Sequence, residues 1–139
     1  MDLPPTDAGA GRPKRLNVLL VENDPDEAAL IRAMLDRPGI RLHLAVSLRE
    51  ARSILHDEQT DVVVLDLDPP NTTALAEMSA LAEDFPRIPL VVLAGVEDEA
   101  LGLSVVREGA DDYLPKSDAS LKLLHRSIHF AYHRKRRTS

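Results

Sequence analysis

Three short stretches of the chain are apolar at nearly every position: Leu16–Val21, interrupted only by Asn17, residues 62–65 and residues 90–93. A strand with one wet face alternates between apolar and polar side chains, whereas a strand covered on both faces does not, so these runs predict interior strands of a parallel sheet. Weaker patterns of the same kind over residues 41–46 and Asp112–Pro115 bring the expected number to five. The segments between them carry helical spacing with recognisable ends. Asp24-Pro25 reads as an N-cap followed by proline at the first helical position, with Ile31, Met34 and Leu35 as the buried stripe and Pro38-Gly39 as the stop. Ser47-Leu48-Arg49-Glu50 is a capping box that opens a second helix running to about His56. Thr72 or Thr73 is the expected cap of a third, which ends before Pro86. Glu97, Asp98 and Glu99 suit the positive end of a fourth that Arg107 and Gly109 close. A fifth, of about 19 residues, starts near Ser117 or Asp118 and carries Leu121, Leu124, Ile128 and Ala131 on one face.

Strands that alternate with helices must be joined by crossovers, and crossovers give parallel pairing with helices on both faces. The expected fold is therefore α/β: a doubly wound, five-stranded parallel sheet of order 2-1-3-4-5 flanked by five helices, of flavodoxin-like type. Ligands of such sheets bind beyond the carboxyl ends of the strands, which directs attention to the residues that follow each strand.

Composition narrows the chemistry. With no cysteine among 139 residues, a disulfide framework, a thiolate metal site and a cysteine nucleophile are excluded. No apolar run approaches a membrane span, and the opening fifteen residues lack the apolar stretch of a signal peptide, so a cytoplasmic location and no membrane partner are expected. Residues 1–15 have no apolar period and read as a disordered leader, residues 16–133 as the folded domain, and residues 134–139 as the basic end of the last helix with its tail. The net charge of −6 is uneven: residues 16–132 hold ten Lys and Arg against 21 Asp and Glu, a net of −11. Such a body repels a polyanion and attracts a divalent cation, so nucleic acid is not an expected partner. Arg134 to Arg137 read as cations complementing a helix C-terminus. His125, His129 and His133, spaced by four, read as a solvated face in preference to a metal stripe.

The strand ends collect carboxylates. Glu22-Asn23-Asp24 follows the first strand, Asp66-Leu67-Asp68 the third, Ala94-Gly95 the fourth and Lys116 the fifth. Converging like charges are costly unless compensated, and the usual compensation for oxygen ligands is a hard cation such as Mg²⁺, which takes one or two carboxylates and keeps several waters. Asp66 is the best nucleophile candidate, since a carboxylate can accept a phosphoryl group while the metal and Lys116 offset the charge that builds up.

These segments, in this order, resemble the receiver domain of bacterial two-component response regulators over about residues 16–133: Val18-Leu-Leu-Val-Glu-Asn-Asp-Pro-Asp, Val-Val-Leu-Asp66-Leu-Asp-Pro-Pro, Ile-Pro-Leu-Val-Val-Leu-Ala94-Gly and Glu-Gly-Ala-Asp-Asp-Tyr113-Leu-Pro-Lys116. The resemblance implies a phosphoacceptor at Asp66, served by a phosphohistidine on a histidine kinase or phosphotransfer protein. It implies Mg²⁺ held by Glu22 and Asp66, with Asn23 or Asp24 nearby and the backbone carbonyl of Asp68. It also implies phosphate contact by Lys116 and a switch pair at positions 94 and 113. The chain departs from the pattern in places. Asn23 stands where a metal-ligating aspartate is usual, and Ala94 where a switch hydroxyl is usual. Ser117 replaces the proline that follows the lysine, and Pro115 precedes the lysine instead. A hydrogen bond to a charged phosphoryl oxygen contributes about 1.5–3 kcal/mol, so the absence of a hydroxyl at Ala94 predicts weak coupling between phosphorylation and Tyr113.

The expected function is that of a stand-alone receiver acting through binding of a downstream protein target, with a homodimer across the fourth helix, fifth strand and last helix as a further expectation. No enzymatic turnover is expected. Two alternatives have sequence support. Asn23 and Ala94 suit a phosphorylation-independent pseudo-receiver scaffold, and Asp66-Leu-Asp68 after a strand is also similar to the opening motif of haloacid-dehalogenase-type phosphatases.

Overall fold

The computed structural model describes residues 15–95, 98–117 and 121–138. Five strands, β1 (Leu16–Val21), β2 (Ile40–Ala45), β3 (Val62–Asp66), β4 (Leu90–Ala94) and β5 (Asp112–Pro115), alternate with five helices, α1 (Pro25–Leu35), α2 (Leu48–Asp57), α3 (Thr72–Asp84), α4 (Glu99–Arg107) and α5 (Leu124–Thr138). All strand pairs are parallel, in the order β2-β1-β3-β4-β5. The order reverses between β1 and β3, so the carboxyl ends of these two strands flank the crevice where a ligand is expected.

The unbroken apolar runs are explained by burial on both faces. Val18 and Leu20 of β1, Val62 and Val64 of β3, and Val91 and Leu93 of β4 pack with Ile31 and Leu35 of α1 and with Leu124, Ile128 and Ala131 of α5. Leu19, Val21, Val63, Leu65 and Val92 point the other way, onto Leu55 of α2, Met78 and Leu81 of α3, and Val105 of α4. The sheet is thus sandwiched by α1 and α5 on one side and by α2, α3 and α4 on the other. Asp61 and Asp111, each placed just before a strand, accept from the main-chain N–H of Asn17 at 2.7 Å and of Leu90 at 2.8 Å, tying the opposite edge of the sheet together.

The caps largely follow the sequence. Asp24 accepts from the N–H of Asp26, and Ser47 accepts from that of Glu50 while the Glu50 carboxylate accepts from Val46, a reciprocal closure of the α2 start. Asp98 caps α4; Glu97 lies outside the described residues. Gly109 follows the end of α4 with φ of +119°, a conformation that costs a side chain heavily, and a Cβ there would come within 2.7 Å of Ala82.

Two expectations are corrected. The cap of α3 is Asn71, whose side chain accepts from the N–H of Ala74 at 2.8 Å, so Thr72 and Thr73 are already helical. The last regular helix begins at Leu124, later than Ser117 or Asp118. Leu121 is nevertheless buried beside Leu124 and continues the same apolar line, its N–H donating to the Ser117 carbonyl; Asp118 lies outside the described residues. Of the leader only Arg15 is described, its Nε donating to the Pro38 carbonyl. The basic end of α5 is pinned to the domain: Arg134 donates to the Asp111 carbonyl, Lys135 pairs with the Asp111 carboxylate at 3.0 Å, and Arg136 lies over the Tyr132 ring.

Candidate functional site

The end of β3 delivers Asp66 to the crevice, with its side chain only 6% exposed. Beside it, the residue after β1 is Glu22, buried at 3% exposure, and the residue after β5 is Lys116. The parallel register makes this convergence compulsory: Val21 pairs with Leu65, and Asp66 pairs with Leu93, so the strands run out of sheet at the same level. Lys116 Nζ lies 2.9 Å from Asp66 Oδ1 and 3.5 Å from Asp68 Oδ2, and it donates to Glu27 Oε1.

Glu27 is the residue the sequence reading missed. It sits in the first turn of α1, where an acidic side chain is expected to complement the helix dipole, and its carboxylate accepts from the Lys116 ammonium. Carboxylate oxygens of Glu22, Glu27 and Asp66 all lie within 4.8 Å of one another. Asp24, expected among the metal ligands, stands outside this group: its carboxylate turns back to cap α1, while its main-chain N–H donates to Glu22 Oε2 at 3.1 Å. Its contribution is to hold Glu22 in place. Asn23 and Asp68 are exposed and line the mouth of a cleft of about 360 Å³ whose wall also includes Glu22, Asp66, Thr73 and Glu77.

The electrostatics show how unusual the pocket is. Burial pushes the Glu22 carboxyl up to about 7, reinforced by the Asp66 carboxylate, to which a protonated Glu22 can donate and whose charge opposes its ionisation. The Asp24 N–H and the Lys116 charge act in the opposite direction and are outweighed. Lys116 is itself held above its ordinary range: burial disfavours the ammonium, but the contacts with Glu27 and Asp66 more than compensate. Glu22 Oε1 is buried without a hydrogen-bond donor, while Asp66 Oδ1, equally buried, faces the Lys116 ammonium. Clustered carboxylate oxygens, one of them buried with no donor, are the ligands a hard divalent cation prefers, so the donor set fits Mg²⁺.

The chain matches the response regulator receiver domain family over residues 18–128. It belongs to that family. Among curated relatives, this receiver is 32% identical over 114 residues to the response regulator MprA of Mycolicibacterium vanbaalenii, a match covering 80% of this chain and 48% of that protein. It is 26% identical over 115 residues to the DNA-binding transcriptional regulator NtrC of Proteus hauseri, covering 81% and 24%. The receiver therefore spans about a quarter to a half of the length of these relatives. Among solved structures, the Francisella response regulator 1452 receiver domain superposes with a TM-score of 0.73 at 23% identity, covering 86% of this chain and 98% of that one. Receivers of this family are signalling modules that interact with histidine kinases or phosphotransfer proteins and bind Mg²⁺ at an acidic pocket, and this receiver has the carboxylate cluster such a pocket requires.

The two positions expected to form the switch lie on the neighbouring strands β4 and β5. Ala94 ends β4, fully buried, and its carbonyl accepts from the Lys116 N–H at 2.7 Å. Tyr113 of β5 packs half-buried against the α4 side of the core. Gly102 of α4 makes room for it: a Cβ there would come within 2.9 Å of the tyrosine ring.

The displaced Glu22 carboxyl has a measurable consequence. A folded-state value above the unfolded value of 4.5 means that its contribution to stability is complete below that value and disappears as pH rises through about 7. His125 and His129, held low by burial first and by neighbouring charge, act in the opposite sense, contributing above their ordinary value of 6.5 and less as pH falls. Subtracting the curve of Glu22→Gln from that of the wild type isolates the glutamate. Without divalent cation, the wild type is expected to lose stability relative to Glu22→Gln between pH 5 and pH 8, read from urea midpoints across that range. A difference independent of pH would show that Glu22 is not displaced.

Proposed function

We propose that Asp66 is the phosphoacceptor, taking a phosphoryl group from a phosphohistidine of a histidine kinase or phosphotransfer protein. An oxygen of the Asp66 carboxylate forms the new P–O bond, the P–N bond to the donor imidazole breaks, and the electron pair leaves with the imidazole. The observation that supports this most directly is the enclosure of Asp66 between the Lys116 ammonium and the Glu22 carboxylate at the mouth of an open cleft. Lys116, 2.9 Å from the Asp66 carboxylate, neutralises charge on the transferred group. Glu22 and Asp66, with Glu27 beside them, the side-chain carbonyl of Asn23 and the main-chain carbonyl of Asp68, would hold Mg²⁺. That ion supplies charge neutralisation at the phosphoryl oxygens.

The output is read by protein partners in the cytoplasm. Leu103 and Val106 on α4 and Phe130 on α5 are more than half exposed or close to it, which supports docking or self-association through this side of the domain. No helix among the described residues is long and apolar enough to cross a membrane. Incubation with Mg²⁺ and acetyl phosphate is expected to add one phosphoryl group by intact mass, and omission of Mg²⁺ to prevent it.

A second reading, a scaffold indifferent to phosphate, is favoured by Ala94. Its methyl offers no donor to a phosphoryl oxygen, so phosphorylation has little means of drawing Tyr113 inward. Ala94→Thr is expected to restore about 1.5–3 kcal/mol of coupling. This would appear as a change in Tyr113 fluorescence on phosphorylation that the wild type shows only weakly. Equal partner affinity of the wild type and Asp66→Ala would favour the scaffold.

A further inference from the structure

On α5, one turn apart and outside the lining of the carboxylate cleft, His125 and His129 bring their Nε2 atoms to 3.2 Å, hydrogen-bond distance, with the donor set by the tautomer. Their rings are tilted by 55° with centroids 4.5 Å apart, so the two nitrogens converge instead of stacking face to face. Both side chains are partly exposed, and neither packs into the apolar line of Leu124, Ile128 and Ala131. We propose that this pair is a binding site for a borderline divalent transition ion of the zinc, copper and nickel class. The geometry is that of a chelate. Two imidazole nitrogens each about 2.0–2.1 Å from a shared ion and 3.2 Å apart subtend about 100–105° at it, between the octahedral and tetrahedral values.

Imidazole selects for this class of ion and against Mg²⁺, which takes oxygen donors, so the site is chemically separate from the pocket at Asp66. The i, i+4 spacing supplies the preorganisation, since both ligands project from one face of a helix whose backbone is already ordered. His125 also lines a cleft of about 380 Å³ with Asp36, Arg37 and Lys122. Asp36 is the carboxylate of that cleft and Arg37 and Lys122 are its cations, leaving water to fill the remaining positions on the ion. His133, one turn further on, packs its ring edge-on against Tyr132 at 5.2 Å and is not part of the pair.

The test is a Zn²⁺ titration of the tag-free chain by calorimetry, in saturating Mg²⁺ so that the carboxylate pocket is blocked. One equivalent is expected to bind in the wild type. His125→Gln and His129→Gln are each expected to weaken it at least about tenfold, since loss of a direct ligand should cost no less than loss of an outer partner. His133→Gln and His56→Gln should leave it unchanged, and circular dichroism should show all four variants folded. Nitrogen shifts at His125 and His129 in the NMR spectrum on adding Zn²⁺ would support the same assignment. Binding that survives His125→Gln and His129→Gln, that follows His133 instead, or that falls only with Asp66→Asn would overturn it.

Discussion

Lys116→Ala is expected to slow phosphoryl transfer to Asp66 from acetyl phosphate by about 10²-fold, the scale of losing one preorganised donor to a developing anion. Its ammonium is the cation that Glu27, Asp66 and Asp68 have in common, and with a side chain only 8% exposed it cannot be replaced cheaply by solvent. Removing it leaves three carboxylates facing one another, so the variant should also depend more steeply on Mg²⁺ concentration than the wild type. Lys116→Arg restores the charge but not the compact ammonium that fits between Glu27 and Asp66, and should recover only part of the rate. Lys122→Ala, an exposed lysine outside the pocket, should behave as wild type. Time courses of intact mass give all four rates. Labelling of Lys116→Ala at the wild-type rate would remove the lysine from the mechanism.

Leu93→Ala is expected to cost about 3–4 kcal/mol, lowering the thermal midpoint by roughly 10 °C. Leu93 is fully buried in β4 and belongs to the core formed with α1 and α5. It also pairs with Asp66 on one side and with Leu114 on the other, and its carbonyl accepts from the Leu67 N–H at 2.7 Å, so the strand that loses packing is the one that sets the level of the phosphoacceptor. Leu103→Ala, at 55% exposure on α4, should change stability by less than about 0.5 kcal/mol. Urea denaturation separates the two. A small cost at Leu93 would mean that the sheet is not packed on both faces as described.

Why the fold was legible follows from these same residues. β1, β3 and β4 are buried on both sides, so their sequences are apolar without alternation and their ends are sharp. The site residues Glu22, Asp66 and Lys116 were legible because each breaks such a run at its carboxyl end. Glu27 was not: a carboxylate in a first helical turn carries the ordinary signature of dipole complementarity, and only the folded chain brings Lys116, 89 residues away, against it. Asp24 is ambiguous in the sequence, because a carboxylate near a strand end can serve a helix as well as a pocket, and here it accepts from the N–H of Asp26. Asn71 was hidden by two threonines that are also good caps, although asparagine ranks at least as high. The start of α5 was blurred because Leu121 and Leu124 are three apart and buried in the same core, so the apolar spacing of the helix continues ahead of its first residue.

The most direct measurement is to label the protein with acetyl phosphate and Mg²⁺, trap any acyl phosphate by borohydride reduction, and locate the reduced residue by peptide mass spectrometry. Reduction at residue 66, absent from Asp66→Asn, is the result these interactions require. A trapped residue elsewhere in the chain, or none at all under conditions that label other receivers, would contradict the assignment of Asp66 as the group that carries the signal.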